Sequence, residues 1–263
     1  MSNYSTLLFE IRDNVGRITL NRPETGNVLN LQMAKELMEV ALRCDEDPQV
    51  RAVLISGAGK NFCLGGDLKS FGAQGDNMPY HLKEVTSYFH VAASRLTRGN
   101  APVVVAVQGA AAGGGFSLAC ACDLVLAAES AKFTVAYTKI GLTPDGSGSY
   151  FLPRLVGLKR ALELTLTNRI FSAHEAAHWG VVTRVVPDAE LMAQAEALAV
   201  QFAAGPTLAF GAAKRLLNSG WTEPLETQME LESRSIADMG RTADAREGIA
   251  SFLAKRQPTY KGQ

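Results

Sequence analysis

Three stretches of the chain hold residues whose types and spacing suit chemistry. Residues 109–118, GAAAGGGFSL, set three consecutive glycines between the apolar runs VVVAVQ and SLACACDLVLAA. Residues 61–71, NFCLGGDLKSF, set a glycine pair directly after RAVLISGAG. A glycine in the first turn of a helix exposes unpaired N–H groups with no Cβ in front of them, and the helix dipole adds partial positive charge. That combination receives an oxyanion. Two such loops can aim two N–H groups at one oxygen, each donor being worth about 3 kcal/mol to a charged transition state. The same glycines have a purely structural use, since small residues let a helix press close to a strand. Both readings are open at this level. The third stretch, LTPDGSGSYFLPRLVG, carries Asp145. P-D-G is a turn signal in its own right. The apolar segments on either side also predict partial burial, which raises a carboxyl pKa and suits it to proton transfer.

Other motifs point away from other chemistries. GAAAGGG lacks the G-x-G-x-x-G spacing, and no acidic residue ends a strand about 20 residues later, so it is no dinucleotide fingerprint. GAGKN at 57–61 lacks the glycine a phosphate-binding P-loop needs ahead of its GK pair. HEAAH at 174–178 matches a zinc-protease pattern, but Ser172 and Glu175 form an S-x-x-E capping box and Gly180 ends the helix two residues after His178. The other histidines are His81 and His90, and no metal site is expected.

The elements that must position these residues alternate in type. Residues 7–12 and 16–20 read as short strands joined at Asn14. LNLQMAKELMEVALRCDED is apolar at helical spacing. RAVLIS, APVVVAVQ, CDLVLAA and VVTRVV read as buried strands, with helices at 80–98 and from GGGFSLACA onward. Strands alternating with helices predict an α/β class. After Pro187 the pattern is helical only, broken at 205–206, 219–221 and near Gly240, with Thr242 an N-cap and Asp244 in the following first turn. The expected division is an α/β core over 1–195 and a helical region over 196–263.

Composition narrows the class. Lys plus Arg and Asp plus Glu are both 26, so no overall field points to nucleic acid or to a membrane surface. The N-terminus has neither a basic n-region nor an apolar h-region, and no apolar run approaches the roughly 18 residues of a membrane span. Cys44, Cys63, Cys120 and Cys122 form no CxxC and read as reduced thiols of a cytoplasmic protein. Phe71, Tyr80, Tyr88 and Phe89 suit either an aromatic pocket or ordinary core packing.

FCLGGDL, VQGAAAGGGFSLACACDLVLAA and AKFTVAYTKIGLTPDGSGSYFLPRLVG, with the opening LNRPETGNVLN and the closing REGIASFLAKRQP, resemble the crotonase (enoyl-CoA hydratase/isomerase) superfamily over essentially the whole chain. The resemblance implies an α/β fold of the crotonase type, a ββα spiral core with a C-terminal helical trimerisation region, and a homotrimer or a hexamer of paired trimers. It implies an acyl-CoA thioester substrate, no metal, and no cofactor beyond the coenzyme A of the substrate itself. Carried over by position, the oxyanion hole is the N–H of Gly66 and of Gly114. Leu64 offers its carbonyl to the adenine, Val28 lies near the nucleotide, Asp67 and Leu68 flank Gly66 in the substrate site, and Lys255 reaches phosphate. For Lys255 a solvated helix face is an equal alternative.

The family's hydratases carry two glutamates. Here Ser117 stands in one slot and Tyr137 in the other, both counted as substrate-binding. Syn addition of water needs one group to take a proton and another to supply one. Serine and tyrosine serve neither role well without a neighbouring base. Family isomerases instead carry an acid where Asp145 stands. The resemblance is nearest to Δ3,Δ2-enoyl-CoA isomerases and to bacterial isomerases of ring-epoxidised phenylacetyl-CoA, enzymes of fatty acid metabolism and phenylacetate degradation. The expected activity is therefore isomerisation through an enolate, with Asp145, Gly66 and Gly114 catalytic. Hydration using Asp145 with water, and a non-catalytic acyl-CoA-binding role, are the alternatives.

Overall fold

The computed structural model describes residues 4–263. The chain opens with a hairpin, β1 (Leu7–Arg12) and β2 (Val15–Leu20), turned at Asp13 and Asn14, which both adopt positive φ. Asn30 caps α1 (Leu31–Glu46) by accepting the Met33 N–H at 2.9 Å. β3 (Ala52–Gly57), the short α2 (Leu68–Gly72), α3 (Met78–Arg98) and β4 (Val103–Val107) follow. Then come β5 (Ala110–Ala112), α4 (Gly114–Ala121), β6 (Leu124–Ala128) and β7 (Lys132–Thr134). α5 (Gly148–Val156), α6 (Leu158–Thr167), β8 (Phe171–Ser172), α7 (Ala173–His178) and β9 (Arg184–Val186) complete the strand-bearing part. The chain ends in α8 (Leu191–Ala203), α9 (Thr207–Ser219), α10 (Leu225–Gly240) and α11 (Ala243–Leu253).

Six strands form one sheet in the order β1-β2-β3-β4-β6-β9, parallel except for the opening hairpin. AVLIS and VVVAV are buried along their whole length, as parallel strands covered on both faces must be. A second sheet, β5-β7-β8, stands apart from the first and carries the site.

Several expectations shift. VVTRVV is a strand only over its last three residues, because the Val181 and Val182 amides bond to the Ala176 carbonyl and close α7. CDLVLAA begins its strand at Leu124, since Cys122 ends α4 and Asp123 turns to the Val103 amide and Lys214. The helical tail breaks where expected. Its boundary near 195 falls inside α8, whose Leu191, Ala195, Ala199 and Ala203 are buried and which packs across β2, β3, β4 and β6. Arg17 of β2 pairs with Glu196 of α8 at 2.8 Å and fixes that helix to the sheet. Thr242 caps α11 as expected, while Asp244 is buried and accepts the Lys261 and Gly262 amides at 2.7 Å each, holding the C-terminal tail. No helix among the described residues is long and apolar enough to cross a membrane.

Glu36 on α1 is a buried anchor for the N-terminal strand. It accepts the Ser5 and Thr6 amides at 2.8 Å each, both hydroxyls, and Gln32. Burial opposes its charge, but the Thr6, Ser5 and Gln32 donors outweigh it and bring its pKa down to about 2. A depressed carboxyl stabilises the fold above its unfolded pKa and loses that contribution as pH falls through the folded value. Glu36→Gln is therefore expected to lower the unfolding free energy at neutral pH by about 2 kcal/mol. In urea titrations the difference from wild type should shrink as pH drops from about 4.5 toward about 2. A deficit that persists at the lowest pH would mean that packing, not charge, holds the strand.

Candidate active site

Three parallel segments end side by side and deliver the site. Cys63 bridges to Ala111 of β5, and β5 pairs in parallel with β7. Beyond their ends stand Gly65–Gly66, Gly113–Gly114 and Tyr137. Leu29 bridges to Gly66 on the outer side. A cavity of about 620 Å³ opens over these ends, lined by Val28, Leu64, Gly66, Asp67, Leu68, Gly114, Tyr137 and Asp145. Eight of the ten residues singled out in the sequence thus meet in one place.

Backbone accounting identifies the available donors. On the first loop, Leu64 N–H donates to the Gly26 carbonyl at 3.0 Å, Asp67 N–H to the Leu29 carbonyl at 2.9 Å, and Gly65 N–H to the Cys63 sulfur. Only Gly66 N–H lacks an acceptor among the described residues. On the second loop, Gly113 N–H donates to the Thr134 carbonyl at 3.3 Å, and Ser117 N–H closes the first turn of α4 on the Gly113 carbonyl at 2.9 Å. Gly114 N–H is the first amide left open at the helix start. The loops touch: a Cβ on Gly65 would lie 3.4 Å from the Gly114 nitrogen and 3.0 Å from the Ala112 carbonyl oxygen. Together the two open amides can hold one oxygen that gains negative charge.

The GGG run divides its labour, which reconciles the two readings of it. Gly113 takes φ 50° and turns β5 into α4. Gly114 offers its amide to the cavity. Gly115 serves close packing, since a Cβ there would lie 2.5 Å from both the Cβ and the carbonyl oxygen of Cys63.

Asp145 does sit in a turn, with Gly148 N–H donating to its carbonyl at 3.0 Å across Gly146 and Ser147, both at positive φ. The turn sets its carboxylate against a phenol: Tyr137 O–H donates to Oδ1. Ser117 Oγ lies 3.0 Å from the same phenol oxygen. Burial pushes the Asp145 carboxyl above the usual aspartate range, and the Tyr137 hydroxyl and nearby His90 only partly oppose this. His90 Nε2 accepts the Gly146 N–H at 3.1 Å. Asp145 also borders a second cavity of about 1060 Å³ between α3, α5, α9 and α10.

Other residues take different places. Ser117 does not line the glycine cavity and reaches it only through Tyr137. Lys255 lies past the end of α11, exposed and away from this cavity of its own chain. Asp67 lines the cavity, but its carboxylate caps α2 through the Ser70 N–H and pairs with Arg22 at 2.9 Å, so it acts on the loop's shape. The Leu64 carbonyl has no donor among the described residues and is open to a ligand. Phe71 and Phe89 are both core and cavity wall, whereas Tyr80 is exposed and Tyr88 packs under Lys35. Around HEAAH, Ser172 and Glu175 form the expected capping box, and Glu175 also pairs with Arg169 at 2.7 Å. The cysteines are free thiols, and burial pushes Cys63 up to about 12.

Three features gave no sequence signal. Leu29 lies 2.9 Å from the Cβ position of Gly114. His90 reads as one more helix residue. Ala136 holds φ 61° with Tyr137 N–H donating to the Val135 carbonyl at 2.9 Å, a tight turn unfavourable for alanine by about 1–3 kcal/mol. Nothing in the letters VAY announces it.

Comparisons with known proteins find relatives along nearly the whole chain. The family described as enoyl-CoA hydratase/isomerase matches residues 10–263. A protein of Rhodobacter capsulatus named "probable enoyl-CoA hydratase" is 40% identical over 99% of this chain and 100% of its own. The 1,2-epoxyphenylacetyl-CoA isomerase of Escherichia coli K12 is 39% identical over 98% of each chain. The crystal structure of an enoyl-CoA hydratase from Polaromonas sp. JS666 superposes with TM-score 0.92 at 32% identity, over 97% of this chain and 99% of that one. The α/β fold is thus the crotonase fold.

The division among the glycines is open to test. Gly115→Ala places a methyl against backbone and should cost about 1–3 kcal/mol in urea unfolding. Gly114→Ala meets only a terminal methyl of Leu29 and should cost less. Equal losses would contradict separate roles.

Proposed function

The chain belongs to the enoyl-CoA hydratase/isomerase family, and we infer that within it the protein is a cytoplasmic acyl-CoA isomerase that shifts a proton, and with it a double bond, through an enolate. The thioester carbonyl accepts the Gly66 and Gly114 amides. Asp145 removes a proton from the acyl chain, the electron pair moves onto the carbonyl oxygen, and the two amides hold the enolate. Asp145 then returns the proton at another carbon as the electrons move back. One carboxylate suffices because the proton stays on one face. Leu64 offers its carbonyl to the adenine and Val28 lies beside the nucleotide; Lys255, away from the cavity of its own chain, reaches phosphate only in the site of a neighbouring copy.

The observation that carries this reading is that, among the described residues, Asp145 is the one acid lining the cavity that is neither exposed nor held in an ion pair. Asp67 is committed to Arg22 and to its helix cap, and Glu24 is exposed at the cavity rim. Ser117, which carries a hydroxyl where an acid would be needed, stands 3.0 Å from the Tyr137 phenol and brings no second carboxylate to the site. Burial and the adjacent Asp145 push the Tyr137 phenol pKa up, so Tyr137 does not deprotonate water. Likeness to the E. coli isomerase supports the same assignment. Hydration with Asp145 and a water is the second reading, favoured by the name of the Rhodobacter relative.

Incubation with a panel of enoyl- and phenylacetyl-derived CoA esters in deuterated water separates the readings. Isomerisation gives deuterium uptake and double-bond migration, whereas rapid loss of crotonyl-CoA absorbance means hydration. Asp145→Asn should lower exchange by about a thousandfold and leave CoA-ester binding intact; near-wild-type turnover would remove Asp145 from its role. Since the carboxylate is the active form and burial raises its pKa, the rate should fall on acidification at a pH above the ordinary aspartate range.

The tail supports self-association into a homotrimer, alone or paired as a hexamer. Leu225, Ile236, Ile249, Phe252 and Leu253 on α10 and α11 are between 63% and 83% exposed, an apolar surface a monomer rarely keeps. Phe252→Asp should shift sedimentation toward monomer; an unchanged profile would place the interface elsewhere.

A further inference from the structure

We propose that Tyr137 is the positioning residue of the reaction: its hydroxyl pins Oδ1 of Asp145 and leaves Oδ2 to carry the proton. The role rests on the reading of Asp145 as the proton carrier.

The direction of the hydrogen-bond chain follows from proton counting. An ionised carboxylate only accepts, so the single phenolic proton goes to Oδ1. Ser117, 3.0 Å from the phenol oxygen, must then be the donor to it. The order is Ser117 to Tyr137 to Asp145, each bond polarising the next. No second side chain donates to Asp145 among the described residues.

The main chain around Tyr137 is built to hold this pose. Ala136 sits in the left-handed region immediately before it. The Tyr137 carbonyl accepts both the Ile140 and Leu142 amides at 3.1 Å. Its hydroxyl oxygen lies 3.9 Å from the Cβ position of Gly114, so the phenol stands between an open amide and the acid. On the far side, only a glycine at 148 lets Ser117 approach this closely. A strained alanine and a clamped carbonyl would be wasted on a ring that merely filled a wall.

Tyr137→Phe keeps the ring and deletes the hydroxyl. It should lower kcat about ten- to a hundredfold, the range for a hydrogen bond to a charged group, with KM and CoA-ester affinity little changed. The lost donor favoured the charged carboxylate, so the acid limb of kcat/KM should move to higher pH. Ser117→Ala should move it the same way by less. His90, the other titratable group facing Asp145, is unaltered in both variants. Carbon-13 titration of the Asp145 carboxyl in the free proteins reads the same shift without any substrate. An unmoved carboxyl titration in Tyr137→Phe overturns the proposal. A shifted titration in a protein that isomerises no ester leaves the hydrogen bond standing and overturns the isomerase reading instead.

Discussion

The site depends on one close approach between two loops. Gly65 lies so near the start of α4 that a single added carbon would press on the Ala112 carbonyl. That approach brings the open amides of Gly66 and Gly114 to the same cavity. It is fixed by short backbone pairing: Cys63 N–H donates to the Ala110 carbonyl, the Cys63 carbonyl accepts the Ala112 N–H, and Gly66 bridges to Leu29. Asn27 and Gln108 brace the loop from behind, donating to Ala58, Asn61, Gly57 and Gly59 carbonyls. Donors held this way need no reorganisation when charge develops, which is the source of their effect on a rate.

Much of this was legible. The large sheet's strands are continuous apolar runs, and buried parallel strands leave that mark. The helical tail and its breaks follow from Gly and Pro positions. The three-stranded sheet was not legible, because β5 and β7 have three residues and β8 two, too short for any period. Yet that sheet sets Tyr137 beside Gly114. The parts of VVTRVV and CDLVLAA that fail as strands are where the preceding helix closes: the Val181, Val182 and Cys122 amides bond back into α7 and α4, a helix end that the apolar run of letters hides. Asp145 was readable as a turn residue and as a partly buried acid, and both hold. Its partner was not, since Tyr137 and Asp145 meet only after a left-handed alanine and a 3₁₀ turn over Thr138–Ile140.

The GGG run shows why residue type alone leaves function open. One of its glycines answers to backbone geometry, one faces a cavity, and one answers to a neighbouring cysteine. From the sequence they are interchangeable letters. Only the environment of each missing Cβ tells them apart: open cavity and a flexible methyl at Gly114, backbone at Gly115.

Electrostatics explains why an acid and a phenol make a coherent pair here. A second carboxylate beside Asp145 would repel it, and in a buried site one of two such acids stays protonated. That suits a reaction needing an acid and a base at once. A phenol adds a donor without adding charge. Burial already raises the Asp145 pKa, and the tyrosine proton tempers the rise while leaving one carboxylate oxygen without a side-chain donor. Burial, and after it the neighbouring carboxylate, raises the phenol's own pKa, so its proton is not lost to the acid or to solvent. The pair therefore stores a single mobile proton site next to two fixed amides, which is the minimum an enolate shift requires.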